Sequence, residues 1–214
     1  MKIKQFVLGL FLLSTFGASA QIITAESFAN TNIDKYDGVA DRKHQYVQAA
    51  DGLKSRFELD QTDKLSNVTI IECQGNAKAK LYSSINAWFT KAFADKNSTI
   101  EKNDQASGTL EVKTVLKNIV KFPHQIVSVN MTVKINIKDD KVRVVNTIQQ
   151  YTINAGTAWV SKKCYPFYDE QDALRKKIGS SAYVASCVFA EEVVKQIEEA
   201  VKPKAPVQDN NDDW

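Results

Sequence analysis

The clearest pattern in this sequence is an alternation of apolar and polar residues in the middle of the chain. Apolar side chains occupy every second position from Val127 to Ile137, and polar side chains occupy the positions between them. A period of two predicts a β-strand with one buried face and one face in water. Residues 141–154 repeat the pattern, so the two segments predict an antiparallel hairpin that turns at Asp139-Asp140.

The predicted hairpin has a specific register. With a two-residue turn, three apolar pairs face one another on one side: Ile137 with Val142, Ile135 with Val144, and Met131 with Ile148. Beyond Gln149-Gln150 the apolar positions change parity to Tyr151 and Ile153. Such a change is typical of a β-bulge, so we expect a bulged and curved hairpin.

A period of three to four residues predicts two helices. The first covers residues 77–94, and its apolar stripe comprises Leu81, Ile85, Trp88, Phe89, Ala92 and Phe93. Asn76 is the expected N-cap, and Trp88 is expected in the core. The second helix covers about residues 170–201, with Gly179 as a point where it can break.

Shorter β-rich runs complete the predicted elements. They cover residues 53–59, 68–73, 98–103 and 109–117, and the polar run 98–103 is expected at a sheet edge. From residue 68 onward the order is β-α-β-β-β-β-α. The sequence therefore predicts an α+β domain over residues 61–201.

The first twenty residues have the composition of an export signal. Lys2 and Lys4 precede a short apolar stretch, and Ala18-Ser19-Ala20 follows it. This order predicts cleavage after Ala20, and the apolar stretch is too short to remain as a membrane span. We therefore expect a periplasmic or secreted protein.

The segments on either side of the domain have weaker patterns. Residues 21–60 predict an N-terminal extension that is laid on the domain or partly disordered. Residues 202–214 contain two prolines and a run of acids and amides, which predicts a disordered tail.

Charge argues against a nucleic-acid partner. The chain has 28 basic and 25 acidic residues. Removal of the leader with Lys2 and Lys4 leaves 26 basic residues against those 25, a net charge of +1. Binding of nucleic acid would require a strongly basic face.

Motifs for catalysis, metals and cofactors are missing from the sequence. The two histidines, His44 and His124, have no partner at ligand spacing, and the glycines form no phosphate-binding array. No nucleophile motif is present. We expect no enzymatic activity, metal or cofactor; the alternative is a hydrolase with an unrecognised active site.

The three cysteines leave two possibilities open. A disulfide between Cys164 and Cys187 would close a loop of about twenty residues and contribute on the order of 3 kcal/mol. Alternatively Cys73, Cys164 and Cys187 are three inert thiols.

The connection over residues 155–169 carries the candidate ligand contacts, which are the aromatic residues Trp159, Tyr165, Phe167 and Tyr168. Exposed aromatics on a long loop are typical of contact with sugars or peptides. The competing interpretation is that they fold down to cap an open end of the sheet. In that case the candidate surface is the polar strand face with Ser128, Asn130, Thr132 and Lys134.

Part of the chain resembles a known family. The residues on which the resemblance rests are Val68-Thr69-Ile70-Ile71-Glu72, the helix from Lys80-Leu81-Tyr82 to Asn86-Ala87-Trp88-Phe89, the polar strand before Gly108, and the hairpin tip Asp139-Asp140. Over about residues 67–154 they resemble the bacterial family called domain of unknown function 4468 (DUF4468), which has a TATA-box-binding-protein-like (TBP-like) fold. The resemblance implies an exported protein with a curved antiparallel sheet and helices on one face. It carries no activity and no binding residues, and the fold name does not imply DNA binding.

These inferences combine into one expected function. We expect an exported, non-enzymatic domain that contacts an envelope protein or a glycan. The alternatives to this binding domain are the hydrolase named above and a purely structural envelope component.

Overall fold

The computed structural model describes residues 22–36, 45–122, 125–154, 157–160 and 173–202. Its helices are α1 (Ala25–Ala29), α2 (Gln45–Gly52), α3 (Lys78–Ala92) and α4 (Ala173–Val201), with a 3₁₀ turn at Ile33–Lys35. Its strands are β1 (Glu58–Leu59), β2 (Leu65–Glu72), β3 (Ser98–Asp104), β4 (Thr109–Phe122), β5 (Gln125–Lys138), β6 (Lys141–Ile153) and β7 (Thr157–Val160).

These strands form one antiparallel sheet with the order β1-β2-β6-β5-β4-β3, and β7 also pairs with β6. β2 pairs with residues 141–148 of β6, and β7 pairs with residues 150–153. The two strands therefore lie end to end along the same edge of β6. From β2 onward the order β-α-β-β-β-β-α is the predicted one, and the α+β class is confirmed.

The β5–β6 hairpin has the predicted register. The three expected pairs are present: Ile137 with Val142, Ile135 with Val144, and Met131 with Ile148. The bulge is present too, since Asn130 pairs with Gln150 while Met131 pairs with Ile148, which leaves Gln149 as the extra residue. The polar strand β3 lies at the sheet edge, as predicted.

The core lies between one face of the sheet and helix α4. Every residue from Ile178 to Ala190 is buried, so this part of the helix is covered on all sides. Strands β2, β4, β5 and β6 contact α4, and α2 and α3 contact it as well. The helix continues unbroken through Gly179.

The N-terminal extension contributes to this core within the described ranges. Phe28 and Ala49 are buried, and the ring of Phe28 stacks on that of Tyr46. The Tyr36 hydroxyl donates a hydrogen bond to Glu191 of α4 at 3.1 Å, and Tyr183 Oη donates to the carbonyl of Leu53 at 2.9 Å. Residues 22–36 and 45–60 therefore pack on the sheet and on α4.

The tip of the hairpin caps helix α3. The N-cap position is Ala77, whose side chain makes no capping bond, so the predicted cap at Asn76 is wrong. Instead Asp139 Oδ1 accepts a hydrogen bond from the amide of Lys78 at 2.7 Å. Asp140 Oδ1 accepts from the amide of Gly75 at 2.8 Å. The two turn aspartates therefore hold the β2–α3 connection against the hairpin.

Trp88 lies at the margin of the core, which corrects the sequence prediction. It is only half-buried, whereas Ile85 and Phe89 on the same helix are fully buried. Its ring packs edge-on against Phe93, and its indole Nε1 donates to Gln196 Oε1 of α4 at 2.9 Å. Because its indole N–H needs a polar partner, Trp88 suits this boundary between the two helices.

Candidate functional site: the open face of the sheet

The second face of the sheet carries the polar positions of the long strands. Side chains alternate along a strand, and the buried residues of β5 all lie on the face packed against the helices. The alternate positions of β5, which lie on the other face, are partly or largely exposed; they are Ile126, Ser128, Asn130, Thr132, Lys134, Asn136 and Lys138. We call the face formed by these residues and their cross-strand neighbours on β2, β3, β4 and β6 the open face.

The centre of the open face consists of hydroxyl, amide and charged side chains. Thr132 lies between Lys113 of β4 and Thr147 of β6, and Gln149 Nε2 donates to its hydroxyl at 3.0 Å. Lys134 forms an ion pair with Glu111 at 3.6 Å. Both signs of charge therefore occur close together around a central polar strip.

Apolar residues are exposed at the β2 margin of the open face. Val68 and Ile70 are 50% and 57% exposed. Val68 pairs in register with Val145 of β6, which is half-buried, so the three side chains adjoin one another. Adjoining exposed apolar residues are more informative than single ones, because they form a continuous contact area.

Aromatic side chains are missing from the described part of the open face. The nearest candidates by sequence, Phe122 and Tyr151, belong to the opposite face: Lys177 of α4 lies over the Phe122 ring, and Tyr151 is buried. The described open face therefore has no stacking platform of the kind that sugars and bases use.

Groups with shifted pKa values lie away from the open-face centre. Burial raises the pKa of the Cys187 thiol well above its usual value, and burial also raises the pKa of Tyr36 to about 12. A hydrogen bond from Thr62 is the main reason that the pKa of Asp60 falls to about 2. Among the described residues, no group of three or more His, Cys, Asp or Glu side chains is placed to hold a metal ion.

A groove runs between β2 and the C-terminal half of α4. One cavity of about 230 Å³ is lined by Asn67, Thr69, Cys187 and Val194, among others. A wider one of about 510 Å³ extends from Ile71 to Val201. Glu198 lines both cavities, so the two adjoin beside the sheet edge.

The aromatic candidates fall mainly outside the described residues. Trp159 belongs to β7, where its backbone pairs with that of Tyr151. Tyr165, Phe167 and Tyr168 lie outside the described ranges, as do His44 and His124. The choice between a ligand contact and a cap stays a prediction. The second candidate surface, with Ser128, Asn130, Thr132 and Lys134, is the one that the structure brings together.

Two of the three cysteines, Cys73 and Cys187, are free, buried thiols. Cys164, the other half of the possible disulfide, lies outside the described residues. Cys187 lies in the middle of α4 and faces Asn67 and Thr69 of β2 across the groove. Its position in the helix–sheet core explains its burial without a covalent bridge.

These features define a class of protein, an α+β domain with an antiparallel sheet backed by helices on one face. Residues 68–152 match the family described as "Domain of unknown function (DUF4468) with TBP-like fold". The resemblance predicted from the sequence is therefore confirmed over this range. A comparison with curated proteins found no match.

Two solved structures share the fold. A TBP-like protein from Parabacteroides distasonis is 14% identical with a TM-score of 0.59, over 71% of this chain and 100% of that chain. A DUF4468 family protein from Bacteroides ovatus is 14% identical with a TM-score of 0.55, over 70% of this chain and 92% of that chain. At such identities the likeness concerns the fold alone. Within the described residues, no helix is long and apolar enough to cross a membrane.

Proposed function

We propose that the protein is an exported, non-enzymatic binding domain that contacts a protein of the bacterial envelope through the open face. The observation that supports this function best is the composition of that face. It presents a polar strip around Thr132 and exposed apolar side chains at Val68 and Ile70, and the described helices pack on the other face. An accessible sheet face that carries both polar and apolar side chains offers a contact area for a partner protein.

A protein partner fits this surface better than a glycan does. Protein interfaces combine apolar contacts with a polar rim of hydrogen-bonding groups, and the open face offers both. Glycan contacts depend on aromatic stacking, and the described open face has no aromatic side chain. A glycan would therefore have to contact Trp159, Tyr165, Phe167 or Tyr168 instead.

The export part of the proposal rests on residues 1–20. If the leader is removed after Ala20, the mature protein begins at Gln21. The intact mass of protein recovered from the periplasm or the medium tests this directly. A membrane-bound species that retains residues 1–20 would contradict export by cleavage.

The contact surface can be tested with purified mature protein as bait for envelope extracts. Thr132→Arg places a long cation in the centre of the open face and is expected to abolish recovery of the partner. Ser83→Arg is the matched control, because Ser83 is exposed on helix α3, away from the open face. Circular dichroism must show that both variants are folded.

Three results are then possible. Recovery by the wild type and Ser83→Arg, with loss in Thr132→Arg, supports the open face. Equal recovery by all three proteins contradicts it. Trp159→Ala and Tyr165→Ala are tested beside these proteins. Loss of recovery only in one of these two variants would assign the contact to the aromatic connection instead.

A further inference from the structure

The cations at the centre of the open face are paired with carboxylates. The ammonium of Lys134 on β5 lies 3.6 Å from Glu111 of β4, and that of Lys113 on β4 lies 3.1 Å from Glu101 of β3. Cross-strand pairs of opposite charge largely neutralise each other. The centre of the face therefore offers a partner hydroxyl and amide groups and little net charge.

Arg143 of β6 differs from these lysines, because its cross-strand neighbours carry no charge. They are Ile70 of β2 and Asn136 of β5, and Arg143 itself is exposed. The Asn136 amide is already bonded, since it donates to Thr109 Oγ1 at 3.3 Å. Among the described residues, Arg143 forms no ion pair. Its guanidinium is therefore available to a group from outside the chain.

The acids nearest to Arg143 in the hairpin do not face it. Glu72 lies opposite Lys141, two residues nearer the turn. Asp139 and Asp140 accept hydrogen bonds from backbone amides of the β2–α3 connection, beside the start of helix α3. The positive charge of Arg143 is therefore not compensated by these carboxylates.

Exposed apolar side chains lie next to Arg143 on the β2 side. Ile70 is directly opposite it, and Val145 follows on the same face of β6, with Val68 opposite. Directly opposed side chains have their Cβ atoms about 4.5–5.5 Å apart. A long charged side chain buries its aliphatic stem against such a neighbour and keeps its charged head in water. Arg143 thus combines an uncompensated charge with an adjoining apolar surface.

We propose that Arg143 anchors the contact on the open face, and that the partner protein presents an Asp or Glu carboxylate beside apolar side chains. A guanidinium binds a carboxylate through two parallel N–H donors. Val68, Ile70 and Val145 would cover this pair and exclude water, which strengthens the attraction between the charges. The inference rests on the proposed function, because it names the chemistry of the partner that the open face contacts.

An acidic protein segment fits this surface better than a nucleic acid or an anionic membrane does. Those partners are held by several basic side chains that act together. On the open face the central cations Lys113 and Lys134 are already paired, so Arg143 has no such support from them. The exposed side chains of Val68 and Ile70 favour a partner with apolar groups of its own.

The first experiment selects binders from a phage-displayed library of random peptides on the purified mature protein. We expect the selected peptides to share an acidic residue next to apolar residues. A synthetic peptide with the shared sequence is then titrated by fluorescence anisotropy. Arg143→Gln is expected to raise its Kd by at least about tenfold. Arg56→Gln is the matched control, because Arg56 is also exposed but lies beside α4, and it should leave the Kd unchanged.

A double-mutant cycle shows whether the peptide's acid contacts Arg143 itself. Replacement of that acid by its amide should weaken binding to the wild type by a similar factor. It should have little further effect on binding to Arg143→Gln, because the interaction is already lost. Arg143→Lys keeps the charge without the two-pronged geometry and is expected to recover only part of the affinity.

The outcomes separate this inference from the proposed function. A selection without a shared acid overturns the inference, and so does an unchanged Kd in Arg143→Gln. If Thr132→Arg then weakens the peptide, the open face remains the contact surface and only the role of Arg143 fails. If Thr132→Arg also has no effect, the open face fails as well. Binding to phosphatidylglycerol vesicles that Arg143→Gln abolishes would overturn the inference by assigning Arg143 to a membrane surface.

Discussion

Removal of the Asp139 carboxylate tests how the hairpin tip supports helix α3. Its Oδ1 accepts the amide hydrogen of Lys78 at 2.7 Å, and the N-cap residue Ala77 provides no side-chain acceptor. Loss of a capping acceptor costs about 1 kcal/mol, and loss of a negative charge near a helix N-terminus costs about 0.3–1 kcal/mol more. Asp139→Ala is therefore expected to lower the free energy of unfolding by about 1–2 kcal/mol at neutral pH.

Two control variants separate the contributions to this effect. Asp139→Asn keeps an acceptor oxygen but removes the charge, so it should cost only about 0.3–1 kcal/mol. Lys138→Ala changes an exposed neighbour in the hairpin and should stay within about 0.5 kcal/mol of the wild type.

The assay is urea unfolding followed by circular dichroism, with hydrogen exchange of the Lys78 amide as a local measurement. Asp139→Ala should speed the exchange of this amide more than that of amides in the middle of α3. A change below about 0.3 kcal/mol, with unchanged exchange at Lys78, would refute the capping role, because measured caps cost more than this.

Three further predictions concern single side chains. Asp60→Asn should destabilise by about 1 kcal/mol at pH 7, after allowance for solvent screening. Because the pKa of Asp60 in the folded state is lowered from 3.8 to about 2, this difference in stability should disappear as the pH falls from about 4 to 2. Urea unfolding at several pH values measures it. Trp88→Ala should lower the free energy of unfolding by about 2–3 kcal/mol, less than the loss of a fully buried tryptophan. Gln196→Ala should lower it by about 1 kcal/mol in the same assay. Equal losses in the two variants would mean that packing of the Trp88 ring contributes nothing to stability. Asn146→Leu should stabilise by about 1–3 kcal/mol, because Asn146 is fully buried and its amide oxygen and nitrogen have no hydrogen-bond partner among the described residues. A loss of stability in thermal unfolding would contradict this.

The parts of the fold that the sequence predicted correctly depend on local periodicity. The alternation over Val127–Ile137 and the parity change after Gln150 were enough to predict the register and the bulge of the hairpin. Both follow from the rule that a strand exposes alternate side chains to opposite faces. The edge position of β3 could be predicted for a similar reason, since its polar residues suit partial exposure.

The errors arose where contacts between distant segments decide the structure. The cap of α3 comes from Asp139, which is far from Ala77 in sequence, so no local pattern indicates it. Phe28 is buried in a segment with little periodicity, because its burial depends on α2 and the sheet and not on its own helix face.

The candidate site could be predicted only as a choice between surfaces. Sequence alternation indicated that Thr132 and Lys134 share a strand face, but it did not show whether a helix covers that face. For the exposed pair Val68 and Ile70, the sequence indicates only that they belong to a β-rich run. Their exposure depends on how little of β2 the short strand β1 covers, which no pattern within β2 reveals.

Site-specific photo-cross-linking in living cells tests whether the open face contacts an envelope protein. A photoreactive amino acid at position 132 lies in the centre of the open face, and one at position 83 lies on the exposed side of α3. A discrete cross-linked envelope protein is expected from position 132 and none from position 83. Cross-linking to the same protein from position 83 alone would show that the open face is not the contact surface.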